Sequence, residues 1–192
     1  MIIAGIDTET TGLDQARGAK LIEVAILQYD FDTRALLSSF VQRIDPMQPI
    51  EAGAQRVHKI AYCDLVGMPT WEVVAPIVLE RLDSVDLMVA HNMAFDGPFL
   101  AGELSRIGCR VPNIDTFCTK ENARWACADG KWPRLGELCF ALGVEYDTTK
   151  AHSAEYDVEV MMACFFKGLD RGFFTISNLI DNIKENKEIS HE

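Results

Sequence analysis

The apolar positions of this 192-residue chain come first in short runs and later in helically spaced stripes. Residues 1–6 are a strand-like apolar run that stops at Asp7-Thr8-Glu9-Thr10-Thr11-Gly12-Leu13, and residues 14–20 read as a polar loop. Two β-branched and aromatic segments, 21–29 and 36–44, flank Asp30-Phe31-Asp32-Thr33, a composition that fits a hairpin-like turn. Three strands thus precede any helix. Pro46 and Pro49 then punctuate the chain. Residues 51–58 and 70–82 read as helices, the second with Thr70 at its N-cap and a kink or break expected at Pro76.

A short buried strand is expected over 86–90, just before His91-Asn92-Met93-Ala94-Phe95-Asp96. Residues 99–107 are spaced as a helix closed by Gly108, and 111–115 read as a last, short strand. Beyond Phe117 the pattern is helical: 119–125, 135–142 closed by Gly143, 154–169 closed by Gly172, and a short helix over 175–183. Residues 184–192 are a polar tail. This order predicts an α/β fold with a mixed sheet of about five strands flanked by helices. The length suits one domain over 1–183, followed by the tail.

Composition alters this outline in two ways. Hydrophobic residues at 48% and charged residues at 24% exclude disorder over most of the length. No uncharged run approaches the ~18 residues of a membrane span, and the start has no basic leader. The six cysteines include no C-x-x-C pair, which suits free thiols in a reducing compartment. A cytoplasmic protein without membrane contact is the expectation. The second change concerns charge: 18 basic against 29 acidic residues leave a net −11. That opposes a large non-specific nucleic-acid footprint, which runs on many Lys/Arg–phosphate contacts. A small pocket holding a few nucleotides around bound cations stays open.

The candidate chemistry is carboxylate chemistry. Asp7 and Glu9 lie two apart at the end of a strand and so project from one face. Two such charges repel unless a cation sits between them, and hard divalent ions prefer carboxylate oxygens; a solvated strand end is the plain alternative. Asp157 shares a helical stripe with Val160, Met161, Cys164 and Phe165, so a helix in that register turns its charge toward the core. An Arg, a proton or a metal must then neutralise it, and no Arg or Lys lies within one turn; a rotated helix with Asp157 exposed is the alternative. Asp96 at a helix start reads either as a cap or dipole partner or as a ligand. His152, just before the helix of Asp157, can act as a base near neutral pH.

In this order, Asp7-Thr8-Glu9-Thr10-Thr11-Gly12-Leu13, His91-Asn92-x-x-Phe95-Asp96 and His152-x-Ala154-x-x-Asp157 resemble the three exonuclease motifs of the DEDD superfamily, histidine (DnaQ-like) branch. The likeness is nearer its proofreading and exonuclease X members than its oligoribonucleases. The resemblance implies a ribonuclease H-like fold and a 3′–5′ exonuclease that releases 5′-mononucleotides from DNA, single-stranded or frayed. RNA 3′-end trimming is the alternative, and a polymerase-associated module with a dormant nuclease a lesser one. It also implies two divalent ions, Mg²⁺ or Mn²⁺, one held by Asp7, Glu9 and Asp157 and the other by Asp7 and, through water, Asp96. His152 is then the general base.

For the substrate, the resemblance implies that Thr10 and Gly12 offer backbone to the terminal nucleotide while Leu13 and Phe95 pack on its base. His58 takes the place of a family histidine, with Lys59 where Gly is commoner; a surface-loop histidine is the alternative. The implied partners are DNA or RNA 3′ ends and proteins of replication or repair. Residues 117–134 carry Lys120, Arg124, Lys131 and Arg134 among Trp125 and Trp132. They read either as a single-strand path or as an amphipathic helix and loop with the tryptophans in the core.

Overall fold

The computed structural model describes residues 1–181 and 183. Five strands form one mixed sheet in the order β3-β2-β1-β4-β5. Strand β1 (Ile2–Thr10) pairs antiparallel with β2 (Leu21–Asp30), which pairs antiparallel with the edge strand β3 (Leu36–Arg43). On the other side β1 runs parallel to β4 (Leu87–Ala90), and β4 parallel to β5 (Asp115–Cys118). The mixed sheet of five strands is the one expected from the chain's pattern.

Alternation along β1 sorts the two faces. Ile3 joins Ala25, Leu27, Leu87 and Val89 in a core completed by α4 (Leu135–Leu142) and α5 (Ala154–Asp170). Ala4 and Ile6 face the opposite core, built with α2 (Trp71–Leu82) and α3 (Met93–Arg106). A short helix, α1 (Ala52–His58), follows the sheet hairpin. Packing is closest where α5 crosses β1. A Cβ on Gly5 would lie 2.6 Å from Met162 Cγ and 2.7 Å from Val158 Cγ1, so only glycine lets the helix lie this near the central strand. Among the described residues, no helix is long and apolar enough to cross a membrane.

Several boundaries differ from expectation, each for a physical reason. Strand β1 continues through Asp7 and Glu9 to Thr10, because β2 supplies a backbone partner all the way to Leu21; ladder bonds do not require apolar side chains. Helix α3 starts at Met93, not at residue 99, and runs through Pro98. Helix α2 likewise runs on through Pro76, so the expected break is absent, and Thr70 occupies the N-cap without a side-chain bond. In both helices the carbonyl that the proline leaves without a donor belongs to an exposed residue, Ala94 or Glu72, and water can satisfy it.

The last strand is 115–118 rather than 111–115. Pro112 cannot donate to a ladder, and β4 offers partners only from Asp115 onward. The helix expected over 119–125 is a 3-10 turn, Glu121–Ala126, with Ala123 off helical geometry. A last helical segment covers 177–181; the polar tail expected over 184–192 lies outside the described residues.

Candidate active site

The C-terminal end of β1 gathers the acidic residues. Asp7 and Glu9 point to the α5 side of the sheet, as their spacing requires, and Glu9 stands directly opposite Glu23 of β2 in the ladder. Burial and the charges of Asp96, Glu9 and Asp157 hold the Asp7 carboxyl well above its ordinary range. Burial, then Glu23, Asp157 and Asp96, push Glu9 up to about 8. Asp96, Asp157 and Glu23, from α3, α5 and β2, thus each stand within electrostatic reach of both Asp7 and Glu9 of β1.

Asp96 lies in the first turn of α3 and is 4% exposed. Its Oδ1 accepts from the Thr8 amide at 3.0 Å and the Thr8 hydroxyl at 2.7 Å. Burial outweighs these bonds and raises its pKa to about 6. The cap role considered for Asp96 gives way to a bond across to β1, and Thr8, absent from the sequence-derived candidates, is what holds it there.

On α5, Val160, Met161, Cys164 and Phe165 are all buried, so the helix has the register that turns Asp157 inward. Asp157 Oδ2 accepts from the His152 amide at 2.9 Å, whereas its Oδ1 is buried with no hydrogen-bond partner. Burial raises the Asp157 pKa against the pull of the His152 backbone and ring. His152 is exposed and holds a left-handed backbone, φ 65°, a conformation costly for a residue with a Cβ. The bond from its backbone amide to Asp157 holds that strained turn at the start of α5.

The remaining candidates surround this cluster. Thr10 is buried and its hydroxyl donates to the Gly12 carbonyl at 2.7 Å. A Cβ on Gly12 would collide with the Glu51 carboxylate, so the backbone there passes against α1's leading residue. Leu13 is 80% exposed, an apolar side chain without cover at the strand's end. Phe95 is half-buried against Phe99, ring centroids 4.8 Å apart.

His58 is buried, which overturns its reading as a surface-loop residue. Its Nδ1 accepts from the Ile60 amide at 3.0 Å, so the neutral ring carries its proton on Nε2, a buried donor with no partner of good geometry. Burial lowers its pKa, against the Thr10 backbone and Glu23. By contrast, His91 of the second motif spans Thr119 Oγ1 at 2.9 Å and Pro133 O at 3.2 Å, and burial holds it at about 4.

The 117–134 segment is not a buried amphipathic helix. Trp132 is 56% exposed, and Trp125 is partly exposed while stacked on Phe173 at 4.3 Å. Lys120 donates to Asn92 Oδ1 and Lys131 pairs with Glu137, so part of its positive charge is already engaged. All six cysteines are free, and three of them (Cys118, Cys139 and Cys164) are buried. Two cavities of about 540 Å³ each lie apart from the carboxylates, one between β5 and residues 175–179 and the other beside α4.

Oxygen donors of this kind suit hard divalent ions. Among the described residues no three His, Cys, Asp or Glu side chains are drawn together at coordination spacing. The partnerless Asp157 Oδ1 and the raised Asp7 and Glu9 are what a cation would satisfy, so the residues present fit one.

Residues 4–165 match the exonuclease family designated RNase_T. The 3′–5′ exonuclease DinG of Bacillus subtilis (strain 168) is 29% identical over 166 residues, covering 86% of this chain and 17% of that protein. DNA polymerase III subunit epsilon of Escherichia coli (strain K12) is 28% identical over 163 residues, 81% of this chain and 66% of the subunit. The chain thus spans about two-thirds or less of these relatives. Exonuclease X in complex with 5′ overhanging duplex DNA superposes with TM-score 0.69 at 21% identity over 94% of this chain and 99% of the other. E. coli Exonuclease I in complex with a dT13 oligonucleotide gives 0.75 at 18% identity over 94% and 43%. The shared architecture is ribonuclease H-like, and by the match over 4–165 the chain belongs to the RNase_T exonuclease family.

Proposed function

We propose that the protein is a 3′–5′ exonuclease that hydrolyses terminal phosphodiesters of DNA, single-stranded or frayed, and releases 5′-mononucleotides. The observation that supports this most is Asp157, whose buried Oδ1 has no partner while its charge reaches Asp7 and Glu9. Asp7, Glu9 and Asp157 would hold one divalent ion, and Asp7 with Asp96 a second. Such a pair, Mg²⁺ or Mn²⁺, supplies activation of the attacking water and charge for the departing 3′-oxygen.

The chain's own groups do the rest. His152 takes the proton of the attacking water on a ring nitrogen, its turn held by the bond from its amide to Asp157. Thr8 keeps Asp96 aimed at β1. Leu13 and Phe95 flank the terminal base, a contact that accepts any base. The backbone of Thr10 and Gly12 lines the sugar side, and the buried Nε2–H of His58, beside the Thr10 backbone, is a donor for the substrate. DNA is preferred over RNA in this reading because the similar curated proteins include DNA polymerase III epsilon subunits. Partners in replication or repair belong to the same proposal.

The test is incubation of 5′-labelled single-stranded DNA and its RNA twin with protein and Mg²⁺ or Mn²⁺. The expected result is a ladder shortening from the 3′ end, faster on DNA and abolished by chelation. The variant Asp157→Asn should lose hydrolysis, and His152→Ala should lose about 10²–10⁴-fold together with the acidic limb of the pH profile. A near-parental rate in Asp157→Asn overturns the ligand assignment; RNA turnover more than about tenfold faster than DNA reverses the substrate.

A further inference from the structure

Glu23 is a lone charge inside an otherwise apolar strand, Leu21-Ile22-Glu23-Val24-Ala25-Ile26-Leu27, and it is 6% exposed. A carboxylate there is disfavoured unless both oxygens are engaged. One is: Arg43, its partner across the β2–β3 ladder, donates Nε to Oε1 at 3.0 Å. The other oxygen turns to the helix layer and accepts, at 3.4 Å, from the amide of Ala154, the first residue of α5.

That amide is one of the four a helix start leaves without a partner. Ser153, at the N-cap, makes no side-chain cap bond to the amides that follow. The start of α5 is therefore held from two sides, the Ala154 amide by Glu23 of the sheet and the His152 amide by Asp157 of the helix itself, and a carboxylate suits the positive end of a helix. Two residues before Ala154 stands His152 and three after it Asp157, while Glu9 faces Glu23 across β1–β2. Arg43, Glu23 and α5 form one line from the sheet edge to the candidate site.

We propose that Glu23 is a positioning residue: anchored by Arg43, it caps α5 from β2 and so sets where His152 and Asp157 stand against Asp7 and Glu9. Its kinetic consequence rests on the hydrolytic reading above; its structural consequence does not.

The experiment compares Glu23→Ala, Glu23→Gln and Gln28→Ala with the parent protein. Gln28 is a buried polar residue of the same strand whose side chain donates to Arg81 on the opposite face, and it controls for lost packing. Amide hydrogen exchange at Ala154 is read in metal-free protein, and kcat and KM on single-stranded DNA with Mn²⁺ are read below each melting temperature. In Glu23→Ala, exchange at Ala154 should speed up and kcat fall about tenfold to a hundredfold, with KM within about twofold. Glu23→Gln retains one acceptor oxygen and should recover most of both, and Gln28→Ala should change neither. Unaltered exchange at Ala154 in Glu23→Ala, or equal loss of kcat in Glu23→Ala and Gln28→Ala, overturns the proposal. Should Glu23→Ala not fold, the near-isosteric Glu23→Met replaces it with the same expectations. If the parent fails to hydrolyse DNA, the hydrolytic reading falls, and the exchange comparison alone upholds or overturns the cap.

Discussion

Like charges placed directly opposite on neighbouring strands destabilise a sheet, yet Glu9 and Glu23 are so placed. The metal-free fold tolerates this by keeping protons. A carboxyl whose pKa rises on folding stabilises the fold below its ordinary value, and that stability is lost as pH rises through the folded value. For Glu9 the window runs from 4.5 to about 8 and for Asp96 from 3.8 to about 6. In chelator, the melting temperature should therefore fall between about pH 5 and about pH 8, and saturating Mg²⁺ should cancel most of that fall. A melting temperature that climbs steadily over the same range in chelator contradicts the raised carboxyls. Of these residues, Asp7 and Glu9 were legible from strand parity and Asp157 from helical offsets. Glu23 and Thr8 were not. The charge of Glu23 within an apolar run was the available signal, but its position opposite Glu9 depends on the register across the 11–20 connection and on an irregularity between Glu9 and Thr10.

At the level of elements, the site depends on how near α5 lies to β1. Gly5 sets that distance, since Val158 and Met162 occupy the space a side chain would need. Gly5→Ala should cost about 1–3 kcal/mol by overpacking, and it should lower hydrolysis more than an equally destabilising change at the edge strand, because it displaces α5 from Asp7 and Glu9. Denaturant titration and initial rates on one oligonucleotide check both parts; an unchanged rate in a destabilised protein counts against the spacing argument. The long strands, α4 and α5 were readable because burial on one or both faces leaves a strong pattern. The start of α3 was not, as Gly97 and Pro98 look like breakers in sequence and are harmless where the freed carbonyl is exposed. Strand β5 was misplaced because a four-residue parallel strand takes its register from β4 rather than from its own side chains.

Across the whole molecule, a net charge of −11 opposes broad contact with an anionic polymer, so the proposed substrate has to be met at a small site. Two divalent cations at the acidic end of β1 would cancel the charge of its four carboxylates and so admit a phosphodiester there; the lysines and arginines of 117–134 are partly engaged with the protein's own oxygens. The sheet order brings together motifs more than 140 residues apart, which is why no single motif carried the reading and their sequence order did. Anomalous diffraction from crystals soaked with Mn²⁺ and a nucleoside 5′-monophosphate tests this most directly. Metal peaks are expected among Asp7, Glu9, Asp96 and Asp157, with Asp157 Oδ1 as a ligand and the base against Leu13 and Phe95. Manganese that leaves Asp157 unliganded, or binds only elsewhere on the acidic surface, would contradict it.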